Sequence, residues 1–288
     1  MSKNAGPLSP PRHSTLKKVI DYNALRENGR QVHEFFAASP ENVGVLTEMF
    51  GVECLKRDSL ENYRKCFQVL EKYSDRIVSI KPFAHLTRIY PNRDTFMADI
   101  VDREFTNNFP RYCQVLLTST DPQALGIIQA EQDKTKVFMA QIQGLSNEVR
   151  DNIAFYEKSV PSTLLGQFKS TVAVTQADLQ FVASMVSGLT RMHFERVFPN
   201  QPHPDKKDCP YWFPFRYHIA LQLLTFLWIK RSGYQTVPTD RLRNDSVDIY
   251  YVAYGTLFDG VVTEDTRMQE LSLHAAAVLR HFETEIFR

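Results

Sequence analysis

The chain has 288 residues, 34 Lys and Arg against 33 Asp and Glu, and a net charge of +1. With 43% hydrophobic residues, 20 Phe and 12 Tyr, it can bury a large core, which excludes disorder over most of its length. The charge balance excludes a globally basic nucleic-acid coat and a polybasic membrane binder, so any nucleic-acid site is local.

Residues 1–15, rich in Ser, Pro and Asn, read as a disordered tail with no apolar signal core. Leu16 to Asp21 reads as a strand ending on an acid, followed by a helical segment from Ala24 to about Phe36. Val43 to Thr47 is a second extended piece and Glu48 to Lys56 a short helix. Asp58 or Ser59 caps a helix through Tyr73, with Leu60, Tyr63, Phe67 and Leu70 on one face, and Arg76 to Ile80 is the next strand. The order so far is β-α-β-α-β, the alternation of a parallel sheet covered by helices.

From about Pro91 to Gly233 the periodicity is almost wholly helical. Thr120-Asp121-Pro122 starts a long helix with a stripe of Phe138, Ile142, Leu145, Val149, Ile153 and Tyr156. Thr175 caps another, with Val182, Met185, Leu189 and Met192 inward. Pro214 to Arg231 forms a third, ended by Gly233. Its charge-free run, Tyr217 to Ile229, is shorter than the roughly 20 residues that span a bilayer, so no membrane span is expected and a cytoplasmic location is. The aromatics Tyr211, Trp212, Phe213, Phe215 and Tyr217 read as core rather than as a platform for stacked bases. Asn244 caps a helix to about Leu257, Gly260 to Thr263 is a buried strand, and two short helices finish the chain. Residues 16–90 and 236–288 thus form one α/β domain interrupted by a helical insertion, 91–235. Cys54, Cys66, Cys113 and Cys209 form no Cys-x-x-Cys pair and read as reduced thiols. His203, Cys209 and His218 match no recurrent zinc spacing.

Ligands of open α/β sheets lie beyond the carboxyl ends of the strands. Asp21 ends the first strand and Asp265 follows the last, while Asp245 and Asp248, three apart at a helix start, share a face. Carboxylates converging there suit Mg²⁺ or Mn²⁺ and a phosphate substrate, although acids also serve as helix caps and loop residues.

Three segments, in order, carry a resemblance. Val19-Ile20-Asp21-Tyr22-Asn23-Ala24-Leu25 resembles the opening strand of PIN-domain nucleases. Leu46-Thr47-Glu48-Met49-Phe50-Gly51-Val52-Glu53 resembles the segment holding that family's glutamate, with Glu48 competing with Glu53 for the role. Asn244 through Asp248, then Val261-Val262-Thr263-Glu264-Asp265, resembles the family's third acid, helix, strand and closing Thr-x-Asp. The resemblance covers roughly residues 16–85 and 236–285. It departs at the bulky Tyr22 and in a middle far longer than in compact members.

The resemblance implies an α/β, PIN-like parallel sheet and a metal-dependent endonuclease, a phosphodiester hydrolase that leaves 5′-phosphate and 3′-hydroxyl ends. Asp21, Glu53, Asp248 and Asp265 would be the catalytic acids, binding one or two Mg²⁺ or Mn²⁺ ions together with Asp245, and Asn23 and Thr263 would orient them. Arg241 and Arg243, beside these acids, are the favoured substrate contacts; Lys56, Arg57, Arg64, Lys230 and Arg231 are weaker ones, since cations also belong at helix ends and solvated faces. RNA, single-stranded or structured, is the favoured substrate, in a toxin or phage-defence setting, with structure-specific DNA cleavage as an alternative. The rival of another class is a noncatalytic scaffold that binds a protein partner through its helical middle. Compact relatives often form homodimers. No Gly-x-Ser-x-Gly, Walker loop or His-Glu-x-x-His supports another chemistry.

Overall fold

The computed structural model describes residues 15–55, 60–159, 166, 174–231 and 238–286. Four short strands, β1 (Lys17–Ile20), β2 (Val43–Leu46), β3 (Ile77–Ser79) and β4 (Val261–Val262), form one parallel sheet in the order β3-β2-β1-β4. Val19 faces Val45 across one seam and Val261 across the other. Successive side chains of an extended chain point to opposite faces, and here they enter separate cores. Val19 and Val45 join one apolar cluster, Ile20 and Leu46 the other.

The second cluster is closed by α1 (Arg30–Ala38), α2 (Glu48–Leu55), α3 (Leu60–Glu71) and α6 (Arg103–Thr118), through Phe36, Phe67 and Phe109 among others. Gly44 permits this approach: a Cβ there would lie 2.6 Å from Ile20 Cδ1 and 2.9 Å from Phe36 Cζ. The small helices α4 (Phe83–Leu86) and α5 (Phe96–Ile100) precede α6. On the other face lie α7 (Pro122–Ser159), α8 (Gln176–Val197), α9 (Phe213–Arg231), α10 (Thr239–Gly255) and α11 (Thr266–Ile286). Helix α9 runs through the middle of this layer with Ile219, Ala220, Leu223 and Leu224 almost wholly buried, each large side chain stabilising the fold by about 1.5–3 kcal/mol. The core therefore runs without a break from Val19 of the sheet into α7, α8 and α9, across the boundaries drawn at residues 91 and 235. Trp212, Phe213 and Phe215 are buried in it.

Several sequence expectations need correction. The segment from Ala24 to Phe36 is not one helix: two 3-10 turns, Tyr22–Leu25 and Glu27–Gly29, precede α1, because Asn28 (φ 64°) and Gly29 (φ 72°) are left-handed. Helix α10 starts at Thr239 behind Pro238 and not at Asn244, the proline ring holding φ at −56° where the chain enters the helix. The end of the chain is a single helix, α11, over its described length. Met192 is 68% exposed, and the inward stripe of α8 is Val182, Val186, Thr190 and Phe194. The cap at Thr175 is present as a full capping box with Asp178. The cap at Asp58 or Ser59, the tail, Gly233 and the side chains of Leu145, Val149 and Tyr156 lie outside the described residues. Among the described residues no helix is long and apolar enough to cross a membrane.

Candidate acidic site

Strands β1, β2 and β3 step outward in one direction, whereas β4 returns to the other side of β1. The carboxyl ends of β1 and β4 beside that reversal, called the acidic crevice below, are where ligands of such sheets bind. Asp21 leaves β1 there, fully buried, and its Oδ2 accepts a 2.6 Å hydrogen bond from the Thr263 hydroxyl beyond β4. The same hydroxyl accepts the N–H of Asp265 at 3.0 Å. Asp265 Oδ1 in turn accepts the N–H groups of Arg267 and Met268 at 2.8 and 3.0 Å, closing the amino end of α11. Asp21 Oδ1 is buried and makes no hydrogen bond among the described residues. Burial pushes the Asp21 carboxyl up; Thr263 and the backbone and side chain of Asn23 offset part of this, and the charge of Asp265 adds to it. Asn23 thus approaches the carboxyl without closing a hydrogen bond to Oδ1.

Helix α10 brings Asp245 and Asp248 to this crevice from its middle turns rather than from a helix start. The Asp248 carboxyl is pushed well above the usual range, first by burial and then by the charges of Asp21, Asp245, Asp265 and Glu53. Five carboxylates therefore share one field. Glu53 is the glutamate that takes part. Glu48 is turned elsewhere, with Oε1 accepting the N–H of Phe83 at 2.7 Å and the Tyr254 hydroxyl at 3.2 Å.

Three further residues shape the site and were not foreseen. Asp245 is 3% exposed and is held by Arg267, whose two guanidinium nitrogens donate to its two oxygens at 2.7 and 2.8 Å, and by the Trp228 indole N–H at 2.9 Å. Burial raises the Asp245 carboxyl, and Arg267 and Trp228 offset part of that rise. The guanidinium groups of Arg267 and Arg241 lie 5.2 and 5.3 Å from the centre of the Trp228 ring, a cation–π arrangement. Tyr251, fully buried on α10, has its phenol pushed up by burial and then by the charges of Glu53 and Asp21. Only Arg267 carried a sequence signal, its place two residues after Asp265.

Of the basic residues, Arg241 is exposed beside Trp228 and Arg243 is half-buried. Lys230 is buried in a 2.6 Å ion pair with Asp178, and Arg64 binds the carbonyls of Leu116 and Ser119 at the end of α6. Both serve the fold. Lys56, Arg57 and the side chain of Arg231 lie outside the described residues. His218 pairs with His193 at 3.1 Å and His203 with Glu195 at 3.2 Å; all four cysteines are free.

The donor chemistry fits a hard divalent cation, because the crevice offers carboxylate oxygens and one of them, Asp21 Oδ1, is buried without a partner among the described residues. As the side chains stand, no group of three or more His, Cys, Asp or Glu among the described residues has metal-holding geometry. Asp245 faces Arg267 and Asp265 caps α11. Fold and site together define an α/β protein with a carboxylate cluster at the carboxyl edge of a parallel sheet. No protein-family model, curated protein or solved structure matches the chain.

Proposed function

We propose that the chain is a divalent-cation-dependent endonuclease of PIN-like type, with RNA as its favoured substrate. The observation that carries this reading is the shared field of Asp21, Glu53, Asp245, Asp248 and Asp265 at the sheet's reversal point. Asp21 and Asp248, with Glu53 and Asp265, would hold one or two Mg²⁺ or Mn²⁺ ions, and Asp245 contributes from one step further out because Arg267 occupies both its oxygens. The bound cation supplies Lewis-acid activation of water and charge stabilisation at the leaving oxygen. The protein's own part is positional. Thr263 fixes Asp21 through a 2.6 Å bond, Asn23 leans on the same carboxyl, and the exposed Arg241 and half-buried Arg243 meet phosphates flanking the scissile one.

The Asp245–Arg267 pair also favours a second reading, a noncatalytic scaffold, since it neutralises one of the five acids internally. One experiment decides between them: labelled single-stranded RNA and DNA are incubated with Mn²⁺, Mg²⁺ or EDTA and wild-type protein, Asp21→Asn or Asp248→Asn. Metal-dependent cutting lost in both folded variants supports the nuclease and names its polymer. No cutting, together with no thermal stabilisation by either cation, leaves the scaffold.

A further inference from the structure

A cavity of about 710 Å³ opens at the carboxyl ends of β2 and β3, within the size range of small-ligand sites. It lies across α2 from the acidic crevice: Gly51 and Leu55 line it, and at 100° per residue they fall about 160° around the helix from Glu53. The half-buried rings of Phe105 and Tyr112 stand 5.4 Å apart on its wall, and Phe67 is 5.6 Å from Tyr112. Polar side chains accompany them, Thr47 and Asp102 alongside Glu48, Ser79, Lys134 and Thr135. Thr47, 5% exposed, has a buried hydroxyl with no hydrogen-bond partner among the described residues, and Asp102 uses Oδ1 to accept the N–H of Phe105 at 2.9 Å. A carboxylate has roughly four acceptor positions, so Asp102 retains capacity for a ligand N–H.

We propose that this cavity receives one unpaired nucleobase bearing an exocyclic amino group, its face against Phe105 and Tyr112 and its donor edge on Asp102 and Thr47. The proposal rests on the nuclease reading, because it seats a base next to the bond being cut, one helix width (about 10 Å) from the acids. Aromatic walls stack any base, whereas a carboxylate selects for an amino donor, as it does with cytosine N4. Adenine, cytosine and guanine carry such a group and uracil does not.

The test is calorimetric titration of the full chain in excess EDTA with AMP, CMP and UMP, using wild type, Thr47→Val and Gly51→Leu. A side chain added at Gly51 starts in open space, so it fills the cavity without disturbing the fold, which the unfolding midpoint checks. AMP and CMP are expected to bind about tenfold or more tighter than UMP. Thr47→Val weakens them about three- to tenfold, the worth of one hydrogen bond, and Gly51→Leu abolishes binding. No binding of any nucleotide, equal binding of UMP, or binding untouched by Gly51→Leu overturns the proposal. The two readings fail separately: nucleotide binding without metal-dependent cutting keeps the cavity and removes the nuclease, and cutting without nucleotide binding does the reverse.

Discussion

Replacing Arg267 by Met would expose how the acidic crevice is held together without a cation. Arg267 is 20% exposed and its partner Asp245 4% at the side chain, and the two share a 2.7 Å and a 2.8 Å bond. A hydrogen bond to a charged group contributes about 1.5–3 kcal/mol, and removing one partner of a buried pair costs about 3–5 kcal/mol. Because Arg267 keeps some solvent, the lower figure applies, about 3 kcal/mol. At about 2–4 °C per kcal/mol the unfolding midpoint falls by about 6–12 °C. The loss depends on pH. Asp245 already has its pKa raised by burial, and losing the guanidinium raises it further, so the cost appears as pH climbs above the unfolded value near 3.9 and shrinks as pH falls toward 4. Urea unfolding at pH 4.5 and pH 7.5 in EDTA measures both effects, with Arg267→Met/Asp245→Asn as the companion that removes the stranded charge. A loss below about 1 kcal/mol, or an equal loss at both pH values, would refute the pairing as described.

Other expectations follow from the same physics. Asp248→Asn abolishes cleavage yet raises the metal-free unfolding midpoint at pH 7.5: a carboxyl whose pKa is raised in the fold destabilises it above the unfolded pKa, and that cost is absent near pH 4; calorimetry at both pH values checks it. Lys230→Met strands Asp178 beneath α8 and α9 and lowers stability by about 3–5 kcal/mol, read from denaturant midpoints, while Lys230→Met/Asp178→Asn recovers part of the loss. His218, whose pKa burial, His193 and Arg196 lower to about 4, is neutral in the fold, so stability falls as pH drops from 6.5 toward 4. His218→Leu flattens that acid limb, and a limb of unchanged slope in the variant would exclude His218 as its source.

The parts of the fold set by local pattern were legible in the sequence. Lys17 to Asp21 shows its strand because apolar residues run straight into an acid, and Val43–Leu46 and Ile77–Ser79 show theirs through β-favouring residues. The start of α10 was not legible, since Asn244-Asp245 imitates a cap and Pro238 gives no side-chain signal of its own. Glu48 and Glu53 could not be separated by motif, yet five residues on a helix set them about 140° apart, so only one can face Asp248. What no local pattern could reveal is the hold of Arg267 and Trp228 on Asp245, which depends on how three helices meet. The cavity lined by α2, α3, α6 and α7 residues was invisible for the same reason.

The link from Asp21 to Thr263 joins residues 242 positions apart, and the same distant segment supplies the strand that pairs with β1. During synthesis Asp21 therefore waits, with β2 on one side of β1 but without β4 or the Thr263 hydroxyl on the other, until residue 263 has been made. The first turn of α11, which Asp265 caps through the N–H groups of Arg267 and Met268, follows only a few residues later. Assembly of this corner of the fold thus waits on a segment far along the chain, and a chain cut short of β4 would leave Asp21 with neither the strand beside it nor the hydroxyl that holds it.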